Sequence, residues 1–466
     1  MPRGRTKGDG RGRRTRVLLL LLPAALSCSG GPEKPANLLL VTVDTERADR
    51  LGCYGAPGAL TPVADRLARE GVLFTNAFTS IPITLPAHCS ILTGLYPRTH
   101  GVLSHGYTLP EERTTLSEIL KGEGFRTAAF ISSHVLDDKY GTGQGFDIFW
   151  KRYNYGPKRM RRALRDRGED LLTQAALDWA RLELDEPFFL WLHWFHPHKP
   201  YEPPPPMDAI YDPDPSSPLR ADVETLNRVW RGGIEPTPAE IDRFRRLYQG
   251  EVAFTDRQLG MVLERLEEMG VLDRTLVVYT ADHGEVLYEH DRYFGHDIML
   301  YDPSIRVPLL VRAPGAAKGG TIVNDQVRQI DLLPGILDLL GVHRPDILWE
   351  GRSFAPALRG EALEEAPIFA EVFPPKPEWK SPPRHGIRYG DWKLITVEGE
   401  DGVQLFDLAA DPGEERNLAD EETAKSAELQ ALLLEWMAST PLPDEDFPEL
   451  TDEERENLRS LGYLEE

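Results

Sequence analysis

Two carboxylates, an imidazole and a hydroxyl stand where apolar runs of this chain end or turn. Asp44 follows Asn37-Leu38-Leu39-Leu40-Val41-Thr42-Val43, Asp282 and His283 follow the run from Thr275 to Ala281, and Thr84 lies two residues before Pro86. Carboxylate oxygen and imidazole nitrogen are hard or borderline donors that suit a divalent metal ion such as zinc, manganese or calcium. An Asp-His-Gly at the end of a strand is as often a plain turn. Pro86 suits the first turn of a helix, which puts Thr84 at the amino end, where open N–H groups and the positive dipole end favour an anionic tetrahedral group. Threonine is also an ordinary helix cap, so its hydroxyl reads as nucleophile or as cap. His193, His196 and His198 fall at i, i+3 and i+5 at the end of a third apolar run. That spacing lets at least two of them share a cleft; an aromatic core edge around Trp194 and Phe195 is the alternative.

Near-continuous apolar runs at 37–44, 187–196 and 275–283 read as strands buried on both faces, as in parallel sheets. Helical patterns lie between them at 62–70, 115–122, 169–184 and 239–269. Alternation of this kind predicts an α/β fold with a mainly parallel sheet flanked by helices, whose ligands gather at the carboxyl ends of the strands. Residues 200–235, rich in proline and acidic residues, read as a long surface loop that could line a cleft. Strand-like pieces at 385–389, 392–395 and 404–408, with a helix near 424–437, predict a smaller C-terminal α+β subdomain. The expected organisation is an export segment at 1–28, a linker at 29–36, a catalytic domain at 37–365, and the subdomain with its tail at 366–466.

The export reading rests on seven basic residues before the apolar run Val17–Leu26, which Pro23 interrupts and which has about half the roughly 20 residues of a membrane span. A cleaved signal therefore fits better than a transmembrane anchor. Ala25-Leu26-Ser27-Cys28 resembles a lipoprotein box, and a plain signal-peptidase cut satisfies it too; a membrane tether through Cys28 follows only from the first. The expected location is periplasmic or extracellular. The chain of 466 residues carries a net charge of −22. Losing the basic amino end would take it to about −28. Such acidity opposes nucleic acid and anionic membranes as partners, so an anionic substrate has to be attracted locally, by a metal or a few cations. Cys53 and Cys89 then allow one disulfide at most and lack zinc-thiolate spacing.

The motifs together resemble the sulfatase family of the alkaline-phosphatase superfamily. The resemblance runs through Asp44-Thr45-Glu46-Arg47 to Tyr54-Gly55, Thr61–Leu67, Gly71–Ala77, Thr84–Val102, Gln144–Asp147, Pro197–Tyr201, Asp282–Glu285, Arg306-Val307-Pro308 and Leu405–Glu414. It implies an alkaline-phosphatase-like fold and a metal held by Asp44, Asp282, His283 and Thr84. It also implies that the His193–His198 region contacts the substrate's anionic group and that His296 meets the leaving group or the oxyanion. The departures are specific. The family's cysteine or serine nucleophile is Thr84 here, which cannot become formylglycine, and His88 stands where an arginine is usual, as a candidate oxyanion donor. Thr45 replaces a second acidic residue, and a lysine-histidine pair has no clear match near His134. These changes favour phosphoryl chemistry, on phosphodiesters or monoesters, with Thr84 as covalent nucleophile. A sulfate esterase, a phospho-headgroup transferase and a lipid-tethered binding protein without turnover are the alternatives. The implied substrate is a small anionic ester or a glycan- or lipid-linked one. A second metal would draw on His193, His198 or His385, and the tail at 452–463 reads as a docking helix.

Overall fold

Seven successive residues of β1 (Asn37–Val43) are buried, as a run of leucine and valine with no charge requires. In the computed structural model, which describes residues 34–151, 170–184, 187–212, 216–290, 293–373, 382–443, 448 and 450–460, this strand is central to the main sheet. The expected export segment with Cys28, most of the linker and the end of the tail lie outside the described residues. The other strands are β2 (Val72–Phe78), β3 (Arg126–Ile131), β4 (Ile148–Lys151), β5 (Phe188–Trp194), β6 (Thr275–Ala281), the short pair β7 (Val286–Leu287) and β8 (Phe294–Gly295), β9 (Arg306–Arg312), β10 (Thr321–Val323) and β11 (Val327–Arg328). The order is β10-β2-β9-β6-β1-β5-β3-β4, with β11 also on β2; only β9 runs antiparallel to its neighbours, and the mainly parallel sheet agrees with the sequence pattern.

Register decides the site. Val43 pairs with Trp194 on β5 and with Ala281 on β6, so three parallel strands end at one level. Asp44 and Asp282 are each the next residue, and the two carboxylates emerge side by side at the carboxyl edge. Alternation along β1 sends Leu38 and Leu40 into one core, with the helices Thr84–Thr93 and Leu332–Leu340, and Leu39, Val41 and Val43 into the other, with the helices Leu171–Glu183 and Pro238–Glu268. Each buried aliphatic side chain contributes about 1.5–3 kcal/mol, so the sheet is pinned from both faces. The long helix begins where the sequence marks it: Pro238 opens the first turn, and Thr237 and Glu240 form a reciprocal capping box.

The C-terminal sheet is an antiparallel meander of β12 (Ile368–Val372), β13 (Arg384–Tyr389), β14 (Trp392–Val397) and β15 (Val403–Asp407), covered by the helix Thr423–Ser439. Phe369 and Trp436 stack there at 4.4 Å. Residues 34–466 cluster as one compact unit, so the subdomain is fused to the α/β part. After it, the helix Asp452–Ser460 docks back through Glu454, which accepts from Lys139 at 2.6 Å and Tyr140 at 3.0 Å, and through the buried Leu458. One expectation is corrected: the segment 200–235 is not a plain loop, since its described residues include the helices Met207–Tyr211 and Val223–Trp230, the second capped by Asp222. Leu226 and Val229 on one face of that second helix enter the core, which proline counting could not reveal. Among the described residues no helix is long and apolar enough to cross a membrane.

Candidate active site

Thr84 is the first residue of the helix Thr84–Thr93, every residue of which is buried. The cap is Ile83, with no side-chain hydrogen bond, so the Thr84 hydroxyl is not used as a cap. Pro86 has no N–H and Ala87 N bonds Ile83 O, leaving the N–H groups of Thr84 and Leu85 as the open donors of this turn. Thr84 Oγ1 lies 3.3 Å from His283 Nε2. His283 Nδ1 in turn donates to Gly284 O at 3.0 Å, which turns Nε2 to the centre. Gly284 is required there because a Cβ would collide with the carbonyl oxygen of Pro303.

Asp44, Asp282 and His283 can each offer one ligand atom, all within 4.8 Å of one another and all fully buried. Asp282 Oδ1 accepts from Thr45 N at 3.1 Å and from His283 N at 2.8 Å. Both oxygens of Asp44, Asp282 Oδ2 and His193 Nε2 have no hydrogen-bond partner. Buried acceptors are ordinarily satisfied, so this concentration of lone pairs fits a bound cation. Burial, then the charges of Asp282 and Glu285, push the Asp44 carboxyl well above its usual range, as expected of acids gathered without their counter-ion. Thr45, a β-branched residue, is held at φ 58° while Asp282 takes its N–H and Tyr248 donates to its carbonyl at 2.7 Å. The strain, of about 1–3 kcal/mol, fixes the turn that carries Asp44.

Around this pole the histidines separate by role. His88 does not reach outward as an oxyanion donor: its Nδ1 donates to Thr84 O at 2.7 Å and its Nε2 meets Thr42 Oγ1 at 3.0 Å, because at i+4 in a helix the ring folds back on its own turn. Thr42 is the hub, taking the Trp191 indole N–H at 3.0 Å and His193 Nδ1 at 3.2 Å. His193 Nε2 then faces Asp44 Oδ2 at 3.6 Å. His196 turns away, 34 % exposed, to Glu251 at 3.4 Å. His198 lies 5.2 Å from the His296 ring, and His296 packs 4.2 Å from His283. His296 Nδ1 is bonded to Glu285 Oε2 at 2.9 Å, and Glu285 Oε1 accepts from Tyr201 at 2.6 Å. Burial raises Glu285 to about 8 against the opposing charge of Lys199 and the Tyr201 bond. His385 belongs elsewhere, on Glu371 at 2.5 Å.

Several members were not read from the sequence. Thr42 looks like one more strand residue, and Glu285 and Tyr201 meet only through the fold. His105 is 3 % exposed; burial, then His134 and His283, drive its pKa well down, which places it with the centre. Its position three residues beyond the Thr84–Val102 stretch was the available signal.

A family model described as Sulfatase matches residues 36–342, two thirds of the chain, and one for the C-terminal part of N-sulphoglucosamine sulphohydrolase matches 289–440. The chain belongs to the sulfatase family. Sulfatase-family enzymes hydrolyse sulfate esters and bind a divalent metal, and the Asp44, Asp282 and His283 cluster is the candidate site for it here. An ulvan-active sulfatase of Formosa agariphila is 30% identical over 83% of this chain and 77% of its own. An N-acetylglucosamine-6-O-sulfatase of Bacteroides thetaiotaomicron is 26% identical over 90% of both. A phosphonate monoester hydrolase of Agrobacterium radiobacter, 24% identical, superposes with a TM-score of 0.72 over 90% of this chain and 99% of its own, and so shares the sulfatase fold.

Proposed function

We propose that the protein is an exported ester hydrolase that attacks the central atom of an anionic ester through Thr84, with phosphate esters favoured over sulfate esters. The observation that carries this reading is the Thr84 hydroxyl, fully buried at a helix amino end and 3.3 Å from His283 Nε2. Asp44, Asp282 and His283 would hold a divalent cation, which when bound supplies positive charge that favours the alkoxide of Thr84. The chain's own groups do the rest. The Thr84 hydroxyl gives its proton to solvent and Oγ forms a bond to phosphorus or sulfur while the bond to the ester oxygen breaks, and the N–H groups of Thr84 and Leu85 face the developing charge. Glu285 fixes His296 through Nδ1, so proton delivery to the departing alcohol would run through Nε2. Water then cleaves the ester formed on Thr84.

Sulfate-ester activity is the second reading, favoured by the sulfatases among the relatives, whose named substrates include ulvan and N-acetylglucosamine 6-O-sulfate. The test compares 4-nitrophenyl phosphate, bis(4-nitrophenyl) phosphate and 4-nitrophenyl sulfate on wild type and Thr84→Ala. Phosphate esters should turn over faster, and the variant should lose roughly four orders of magnitude in kcat. Turnover of the sulfate ester alone would reverse the phosphoryl preference, and an undiminished Thr84→Ala would remove the nucleophile.

A further inference from the structure

Five lysine or arginine residues among the described residues are more than nine-tenths buried: Arg47, Arg98, Lys199, Arg388 and Lys393. Four of them have a carboxylate in direct contact. Arg47 meets Asp49 at 2.7 Å, Arg98 meets Glu371 at 2.6 Å, Arg388 meets Asp302 at 2.9 Å, and Lys393 meets Asp302 and Glu414 at 2.6 Å each. Lys199, at 2 % exposure, has no carboxylate oxygen of the described residues within 4.0 Å. Burying an ammonium without a counter-ion costs several kcal/mol, so a fold that keeps one has a use for its charge.

Two described acids on this side of the centre are already committed. Glu285 has one oxygen on Tyr201 and the other on His296, and Asp297 is held by the Tyr293 hydroxyl. The Lys199 ammonium stands 5.9 Å from the Tyr293 ring centroid, and its charge acts on Glu285, His198 and His296. Its place relative to the nucleophile follows from a row of side chains. Thr84 Oγ1 touches His283, His283 packs on His296 and His296 lies near His198, while His198 Nδ1 donates to the main-chain carbonyl of Lys199 at 2.7 Å. The Lys199 charge therefore lies on the His296 side of the centre, and with His296 read as the proton donor that is the side where the alcohol leaves.

We propose that Lys199 pairs with a second oxyanion, carried by the alcohol half of the substrate, so that the preferred substrates are esters of acidic alcohols, such as a sugar bearing a further sulfate, phosphate or carboxylate. This rests on the reading of Thr84 as the attacking group, which sets the leaving-group side. It also accounts for how a chain of net charge −22 holds a multiply charged anion.

The test uses aryl esters that differ by one charge: the 4-nitrophenyl ester that wild type accepts, its 3-carboxy analogue, and the neutral 3-carboxamide. Wild type should prefer carboxylate over carboxamide by roughly tenfold or more in kcat/KM, and added salt should erode that preference. In Lys199→Met and Lys199→Gln the preference should fall roughly ten- to a hundredfold, the range of one charge-assisted contact, and Lys199→Arg should restore most of it. No preference in wild type, or an equal loss on charged and neutral esters in the variants, would overturn the assignment. Calorimetric binding of the same esters separates this from the hydrolase reading. A charge preference in binding that Lys199→Met abolishes supports Lys199 even where turnover fails, and equal binding refutes it even where turnover succeeds.

Discussion

Two of the molecule's buried charge clusters differ in how far their acids are paired. Where the C-terminal sheet meets the α/β part, Arg98 grips Glu371 with both oxygens and His385 joins at 2.5 Å, while Lys393 and Arg388 share Asp302, with Glu414 on Lys393. At the carboxyl edge of β1 and β6, by contrast, Asp44 has two unsatisfied oxygens and Asp282 one. The same chain that pairs its buried ions at the clasp leaves acceptors over at the centre. Paired acids hold the subdomain in place; the unpaired oxygens at the strand ends suit a cation.

That contrast can be broken or sharpened. Removing one partner at the clasp strands the others in a low-dielectric setting. Lys393→Met should therefore destabilise the protein by about 3–5 kcal/mol in urea unfolding, while metal stoichiometry by elemental analysis stays as in wild type. A stable variant that has lost its metal would reverse the two roles. At the centre the pattern should invert: Asp282→Asn should fold with little loss of Tm but bind zinc or manganese at least about a hundredfold more weakly by titration calorimetry. Equal affinity in that variant would dismiss the cluster as a metal site. A third effect concerns acid. Burial lowers His100 to about 3, and burial together with Lys139 lowers His134 to about 4, from the usual 6.5. The unfolded chain takes up these protons first. Stability is therefore complete above about pH 6.5 and falls as pH drops, by up to about 1.4 kcal/mol per unit for each ring until its folded value is reached. His100→Asn should flatten that limb in pH-dependent Tm measurements, and an unchanged slope would show that this ring carries none of it.

Much of the centre was legible before folding was considered. Asp44, Asp282 and His283 end uncharged runs, and such runs become central parallel strands, so their positions at a common edge follow from the sheet type. Thr84 was placed by Pro86. His88 was misjudged because i+4 spacing lets a ring return to its own helix carbonyl, and sequence spacing does not say which way a ring turns. Residues 200–235 were misjudged because prolines mark turns and conceal the short amphipathic helix between them. The contacts of Glu285 with Tyr201 and His296 were not legible, since they join the loop after β5 to the turn after β6, although the family resemblance had marked both stretches.

The sequence by itself determined the chemistry on offer: which donors end which strands, and that the hydroxyl two residues before Pro86 belongs to a threonine. Only the tertiary structure decided which of those groups have partners. Hydrogen-bond saturation depends on the approach of segments as distant as Thr42 and Trp191, or Tyr201 and Glu285, and a local pattern cannot encode a contact whose other half lies across the fold.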